Sequence, residues 1–164
     1  DILILLKIVT YKGAPFAMKD VATALKISPS LITESLERCK KCGLIDASKQ
    51  KVQKLALQEL LLHGIKYVFP AIPGGRVRGV PTAHYAPPIK ESIVASDNDM
   101  LVWPYARGAH KGFSVMPLYK TVPEVVQNDN ELYQLLSIVD CLRMGKTREV
   151  EIAKEELEKR LAYE

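Results

Sequence analysis

Residues 19–45, KDVATALKISPSLITESLERCKKCGLI, constrain the fold of this chain more than any other stretch, because apolar spacing and turn chemistry there ask for two short helices set at an angle. Val21, Ala22 and Leu25 stand at i, i+1 and i+4, one inner stripe on a helix beginning near Met18. Ala22 is short enough to let a second helix cross close above it, where a leucine would obstruct the crossing. The first helix is expected to stop near Lys26. Ser28 then supplies a capping hydroxyl, and Pro29 suits the first helical position, where its missing N–H costs nothing. Along the second helix Ile32, Leu36 and Cys39 recur at i, i+4 and i+7 as the inward stripe. Ser30, Thr33, Glu34, Glu37, Arg38, Lys40 and Lys41 point away from it. Gly43 is placed to end the helix in a left-handed cap, and Leu44 and Ile45 read as a short strand or an extended exit.

Two helices, a Ser28–Pro29 corner and a second helix ending in Cys42-Gly43-Leu44-Ile45 resemble the helix-turn-helix of bacterial winged-helix regulators of the MarR-like and ArsR-like kind. The resemblance runs over residues 2–46. It implies that the second helix enters the major groove of double-stranded DNA, with its outward side chains near base edges and phosphates. Carried over by position, the candidates are Ser28, Ser30, Thr33, Glu34 and Arg38, with Lys41 on the same flank. Serine and threonine can bond phosphate or either kind of base edge, and Arg38 can reach guanine or a phosphate. Glu34 is repelled by phosphate unless it accepts from a cytosine amino group, so it is either a specificity device or an argument against this face. The other reading of the same unit is a protein-interaction module.

The sequence departs from the resemblance after Asp46. Residues 47–51, ASKQK, are too short for both strands of a wing, and Ser48 reads as the N-cap of a helix running through Val52, Leu55, Leu57, Leu60 and Leu61 to His63-Gly64. The wing is therefore expected to be truncated or absent. Lys49, Lys51 and Lys54 cluster near the start of that helix and offer a substitute patch for salt-sensitive phosphate contacts.

Charge is distributed in the same sense. Residues 1–66 hold 11 basic and 6 acidic side chains, residues 67–120 hold 6 and 3, and residues 121–164 hold 6 and 10. A basic front suits a polyanion, and an acidic tail suits solvent or a protein. Three cysteines, Cys39, Cys42 and Cys141, give no even disulfide framework and point to a reducing, cytoplasmic setting. Cys39 and Cys42 have the spacing of half a zinc site, but Cys141, His63, His84 and His110 supply no second pair, so no metal or other cofactor is expected. No apolar run is long enough for a membrane span, and no secretory signal is visible. The chain opens on Asp1 rather than methionine, so the native N-terminus is expected either to have been removed or to lie outside this sequence.

The rest reads in order. Ile2, Leu3, Leu5, Leu6, Ile8 and Val9 make a buried first helix with more apolar surface than a small three-helix unit can cover, so contact with another segment or a second subunit is expected. Residues 65–69 are β-rich and read as a strand closed by Pro70. From Pro70 to Pro88 the prolines and glycines argue against regular structure and for an extended ordered loop. Within it Arg76 and Arg78 flank Val77, an arrangement able to lie along a phosphate backbone or a minor groove, or to clamp an acidic partner. Residues 101–104 and 112–116 read as two strands joined by a turn, with Trp103 and Phe113 in the core. Thr121 with Glu124, and Asn128 with Glu131, have the form of capping boxes. A helix carrying Leu132, Leu135, Leu136, Val139 and Leu142 up to Gly145 follows, then a last one over 147–162 with Val150, Ile152, Ala153, Leu157 and Leu161 on one side. Arg143, Lys146 and Arg148 read as a basic knot between them, either bridging to Glu149 or Glu151 or facing a partner. His84 and His110 lack the neighbours of any catalytic motif, and Ser92, Ser96 and Ser114 lie in no nucleophile elbow, so no enzyme is expected.

The expected protein is α+β: a helix-turn-helix DNA-binding domain over 1–66, a strand and proline/glycine-rich loop module over 67–120, and a C-terminal helical hairpin over 121–164 able to dimerise. The function expected is that of a sequence-specific double-stranded DNA-binding transcription regulator acting as a homodimer. The alternative is an antitoxin or other interaction module that binds a separately encoded partner protein.

Overall fold

Five consecutive buried residues, Ile2 to Leu6, make α1 (Ile2–Thr10) apolar on every side, so it needs partners all round. The computed structural model, which describes residues 1–162, supplies them. α1 lies against α7 (Asn130–Met144), itself buried continuously from Leu135 to Arg143, and against α2 (Met18–Leu25). The covering expected for the first helix thus comes from the far end of the chain. One apolar core runs from Ile2 to Leu161 through all three sequence segments.

α2 crosses α3 (Pro29–Lys41), with Val21, Ala22, Leu25, Ile32, Leu36 and Cys39 all buried between the helices and the core. Asp20 accepts from the Ala17 N–H at 3.2 Å, closing the N-terminus of α2. α3 ends in a Schellman motif: Leu44 N–H donates to the Cys39 carbonyl at 2.9 Å and Gly43 N–H to that of Lys40 at 3.2 Å. Gly43 takes φ +77, as the left-handed stop requires.

Residues 44–53 then form a minimal hairpin held by one bridge, Ile45 to Val52, so the N-cap expected at Ser48 falls five residues later, at Gln53, and the helix is α4 (Lys54–His63). The reason is Asp46. Its carboxylate accepts from the Gln50 and Lys51 N–H groups at 2.9 Å each and from the Ser48 hydroxyl at 2.5 Å. These bonds stabilise a turn in place of a helix start. The strand expected over 65–69 is instead a helical turn, α5 (Ile65–Val68), which prolongs α4 and buries only Ile65.

The proline- and glycine-rich stretch contains a strand, against expectation. β1 (Arg76–Pro81) pairs antiparallel with β2 (Leu101–Pro104) through its C-terminal half and with β3 (His110–Ser114) through its N-terminal half. β2 and β3 close the circle as parallel neighbours, Leu101 opposite Phe113 and Val102 opposite Ser114. They are therefore not a simple hairpin. A three-stranded barrel is so tight that backbones meet where side chains would stand. A Cβ on Gly79 would lie 2.0 Å from the Trp103 carbonyl oxygen, one on Gly108 2.3 Å from that of Gly79, and one on Gly112 2.4 Å from that of Met100. Glycine is what permits closure.

Trp103 is fully buried and tilts against Tyr133 of α7 at 5.7 Å between ring centroids. The barrel is bolted to α7 by Asp140, whose Oδ2 accepts from Thr82 Oγ1 at 2.6 Å and Trp103 Nε1 at 2.7 Å, and whose Oδ1 accepts from Arg143 at 2.8 Å. Arg143 is thus a buried partner of Asp140 and no part of a surface basic knot. It also donates to the carbonyls of Phe69 and Met116.

The two capping boxes also differ from expectation. Thr121 precedes α6 (Val122–Val125) but spends its hydroxyl on the Leu25 carbonyl at 2.8 Å, tying the end of α2 to this region. The cap of α7 is Asp129, accepting from Leu132 N–H at 3.1 Å, one residue beyond Asn128. α8 (Thr147–Leu161) folds back on α7 as a helical hairpin and buries Ala153, Leu157 and Leu161. No helix of the described residues is long and apolar enough to cross a membrane.

Candidate nucleic-acid interface

α3 presents a polar flank because its apolar residues are spent inward. Ser28 at its N-cap accepts from Leu31 N–H at 3.4 Å, with Pro29 next at the first helical position. Ile32, Ser35, Leu36 and Cys39 are buried, so the opposite side carries Ser30, Leu31, Thr33, Glu34, Arg38 and Lys41, all exposed. Ser30 Oγ lies 3.3 Å from Ser28 Oγ, and Thr33 donates to the Pro29 carbonyl at 3.1 Å, which holds both hydroxyls close to the helix start. Glu34 has no hydrogen-bond or ion-pair partner among the described residues.

Arg38 is engaged. Its Nε and Nη2 donate to the Asp1 carboxylate at 3.1 and 2.7 Å, and Ser35 donates to the same carboxylate at 2.7 Å. A fork pair of this kind orients the guanidinium while leaving it at the surface. Lys49 sits in the hairpin turn at φ +59, its ammonium against Glu37 of α3. That hydrogen bond holds the Glu37 carboxyl below its usual range. Lys49 thus fastens hairpin to helix, while Lys51 stands exposed on the turn and Lys54 opens α4 half-buried. The three lysines expected together on one helix start are split between turn and helix.

No family model, curated protein or solved structure matches this chain. The functional reading therefore rests on the geometry of the chain itself.

Arg76 and Arg78 lie on β1, outside the helix unit, and both are exposed. Arg76 donates to the Asn98 carbonyl at 2.9 Å and lies over the Phe113 ring at 5.4 Å. Arg78 donates to the Gly108 carbonyl at 3.2 Å. A further cation, Lys111, stands opposite Arg78 on β3, and Arg107 precedes Gly108, whose carbonyl accepts from Arg78. The sequence signals neither, because Lys111 reaches Arg78 only through the strand register, and Arg107 is linked to it only through the Gly108 carbonyl. Arg107 also lines a cleft with Thr23, Ala24 and Lys26 at the end of α2, so barrel and helix unit meet there. Two ion pairs flank the cleft, Lys7 with Asp129 at 2.6 Å and Lys26 with Glu124.

No group of histidine, cysteine and acidic side chains able to hold a metal ion occurs among the described residues. Cys39 and Cys141 are buried and Cys42 is exposed. Burial raises both buried thiols above their ordinary range.

Proposed function

We propose that the chain is a sequence-specific double-stranded DNA-binding regulator of transcription, cytoplasmic and non-enzymatic, that reads its site with the outer flank of α3. The observation that carries this reading is the division of α3 into a fully buried stripe and an exposed, mainly polar flank beginning at a serine-capped, proline-started N-terminus. Such a helix is held rigidly from behind and open in front, as major-groove reading needs. The order of α1, α2 and α3 followed by the short hairpin at residues 44–53 supports reading the unit as a winged helix with a shortened wing. A two-fold dimer would place two copies of α3 on half-sites about one helical turn, ~34 Å, apart.

Selection of bound fragments from a random duplex library, followed by fluorescence anisotropy at low and moderate salt, tests it. The expected result is a two-fold symmetric motif whose preferred bases change with Ser30→Ala or Glu34→Gln. Absence of any enriched motif at both salt concentrations disposes of the reading.

One observation favours a second reading, an interaction module such as an antitoxin. Tyr67, Val68, Phe69, Ile72 and Met116 are large apolar side chains left exposed in and after α5 and after β3. Co-purification of a distinct small protein from the native host, lost on Phe69→Ser, would favour that role over DNA reading.

A further inference from the structure

The register of the barrel sets Arg78 of β1 directly opposite Lys111 of β3, and both side chains are exposed. Like charges facing each other across a strand pair are destabilising, and an anion bound over the pair would relieve that cost. Arg76 lies two residues along β1, on the same face as Arg78 and about 6.8 Å away. Arg107 extends the group through Gly108, whose carbonyl accepts from Arg78. None of these cations has a carboxylate partner among the described residues. The bonds that Arg76 and Arg78 do make go to neutral carbonyls, which aim the guanidinium groups without cancelling their charge.

This group is continuous with the helix unit. Arg107 shares a cleft of about 460 Å³ with Thr23, Ala24 and Lys26, at the end of α2 and just before the Ser28–Pro29 corner that opens α3. Glu124 and Asp129 also line this cleft and balance Lys26 and Lys7, so the unpaired positive charge lies on the barrel side of it.

We propose that this face of the barrel is a second phosphate-binding surface, on which Arg76, Arg78, Arg107 and Lys111 hold the backbone of duplex DNA beyond the segment read by α3. The inference rests on the reading of α3 above and assigns to the barrel the backbone contacts that a full wing would make. Contacts of this kind give affinity and register, and they carry no base preference. They also release counterions, so each one steepens the salt dependence of binding by about 0.9 in the slope of log K against log salt.

The test uses the full chain and a fluorescein-labelled duplex of random sequence, long enough to extend past a half-site on both sides, titrated over a salt series. Lys111→Glu is expected to flatten the slope by at least about one, while raising the thermal midpoint of the free protein because it converts a repulsive cross-strand pair into an attractive one. Lys111→Arg keeps the native slope. The double variant Arg78→Gln with Lys111→Gln flattens the slope by about two and leaves the preferred bases unchanged. A Lys111→Glu protein with the native slope overturns the proposal, as does one whose midpoint falls. If that protein still shows a base preference that responds to Ser30→Ala, only the barrel surface is lost and the α3 reading stands. If the native chain binds no duplex at any salt, the α3 reading fails and takes this proposal with it. Tighter binding of single-stranded RNA than of duplex, with a slope that depends on Lys111, also overturns it.

Discussion

Asp140 is a single carboxylate on which three parts of the chain depend. It accepts from Thr82, Trp103 and Arg143 with almost no solvent contact. Replacing it with alanine would leave the Arg143 guanidinium buried without a counter-charge, a loss of about 3–5 kcal/mol that urea denaturation should show as a lower midpoint. Asp46 acts differently because it lies near the surface. The Ser48 hydroxyl first, then the Lys51 and Gln50 N–H groups, hold its carboxyl below the ordinary aspartate value of 3.8. Its contribution is therefore complete above that unfolded value and is lost as pH falls through the lower folded one. The protection of the Gln50 and Lys51 amides, measured by hydrogen exchange relative to the intrinsic rate at each pH, should fall in that acid window in the native chain, and already at neutral pH in Asp46→Ala. The sequence suggested neither role. Arg143 has the composition of a surface residue, and only the packing of α7 against the barrel turns its position inward. Asp46 competed with Ser48 as the local organiser, and it prevailed because a carboxylate can accept two N–H bonds and a hydroxyl bond at once.

At the scale of elements, α2 and α3 were legible almost residue by residue, since their stripes, the serine cap and the left-handed Gly43 are all local signals. The barrel was not. β1 lies among breakers that each argue for a loop, and its pairing depends on strands more than twenty residues away. Gly79 therefore reads as punctuation when it is a packing requirement. The two glycines predict different outcomes. Gly43→Ala meets open space, so its cost is that of a left-handed alanine alone, about 1–2 kcal/mol. Gly79→Ala drives a methyl into the backbone carbonyl of Trp103, which cannot swing aside, and the cost should reach about 3 kcal/mol or more. Thermal unfolding of the two variants should rank them in that order, and equal midpoints would refute the closed barrel.

For the whole molecule, the decisive contact is that between the first helix and the seventh. A fragment of residues 1–66 contains α1, α2 and α3, yet it lacks α7, against which the buried α1 lies. It should give weak, non-cooperative circular-dichroism melting or aggregate, whereas the full chain should unfold in one transition because a single core joins all segments. A cooperative fragment would show that the helix unit is self-sufficient. What the sequence alone determined is whatever nearest neighbours decide: where α1, α2, α3, α7 and α8 lie, which side of each is apolar, and that α3 has a polar flank. What only the tertiary structure decided is what distant segments decide: the closure of the barrel around its glycines, the burial of Arg143, the division of Lys49 from Lys54, and the facing of Arg78 by Lys111. Periodicity and caps act within one or two turns, while register and buried charge are settled by residues that meet only once the chain has folded.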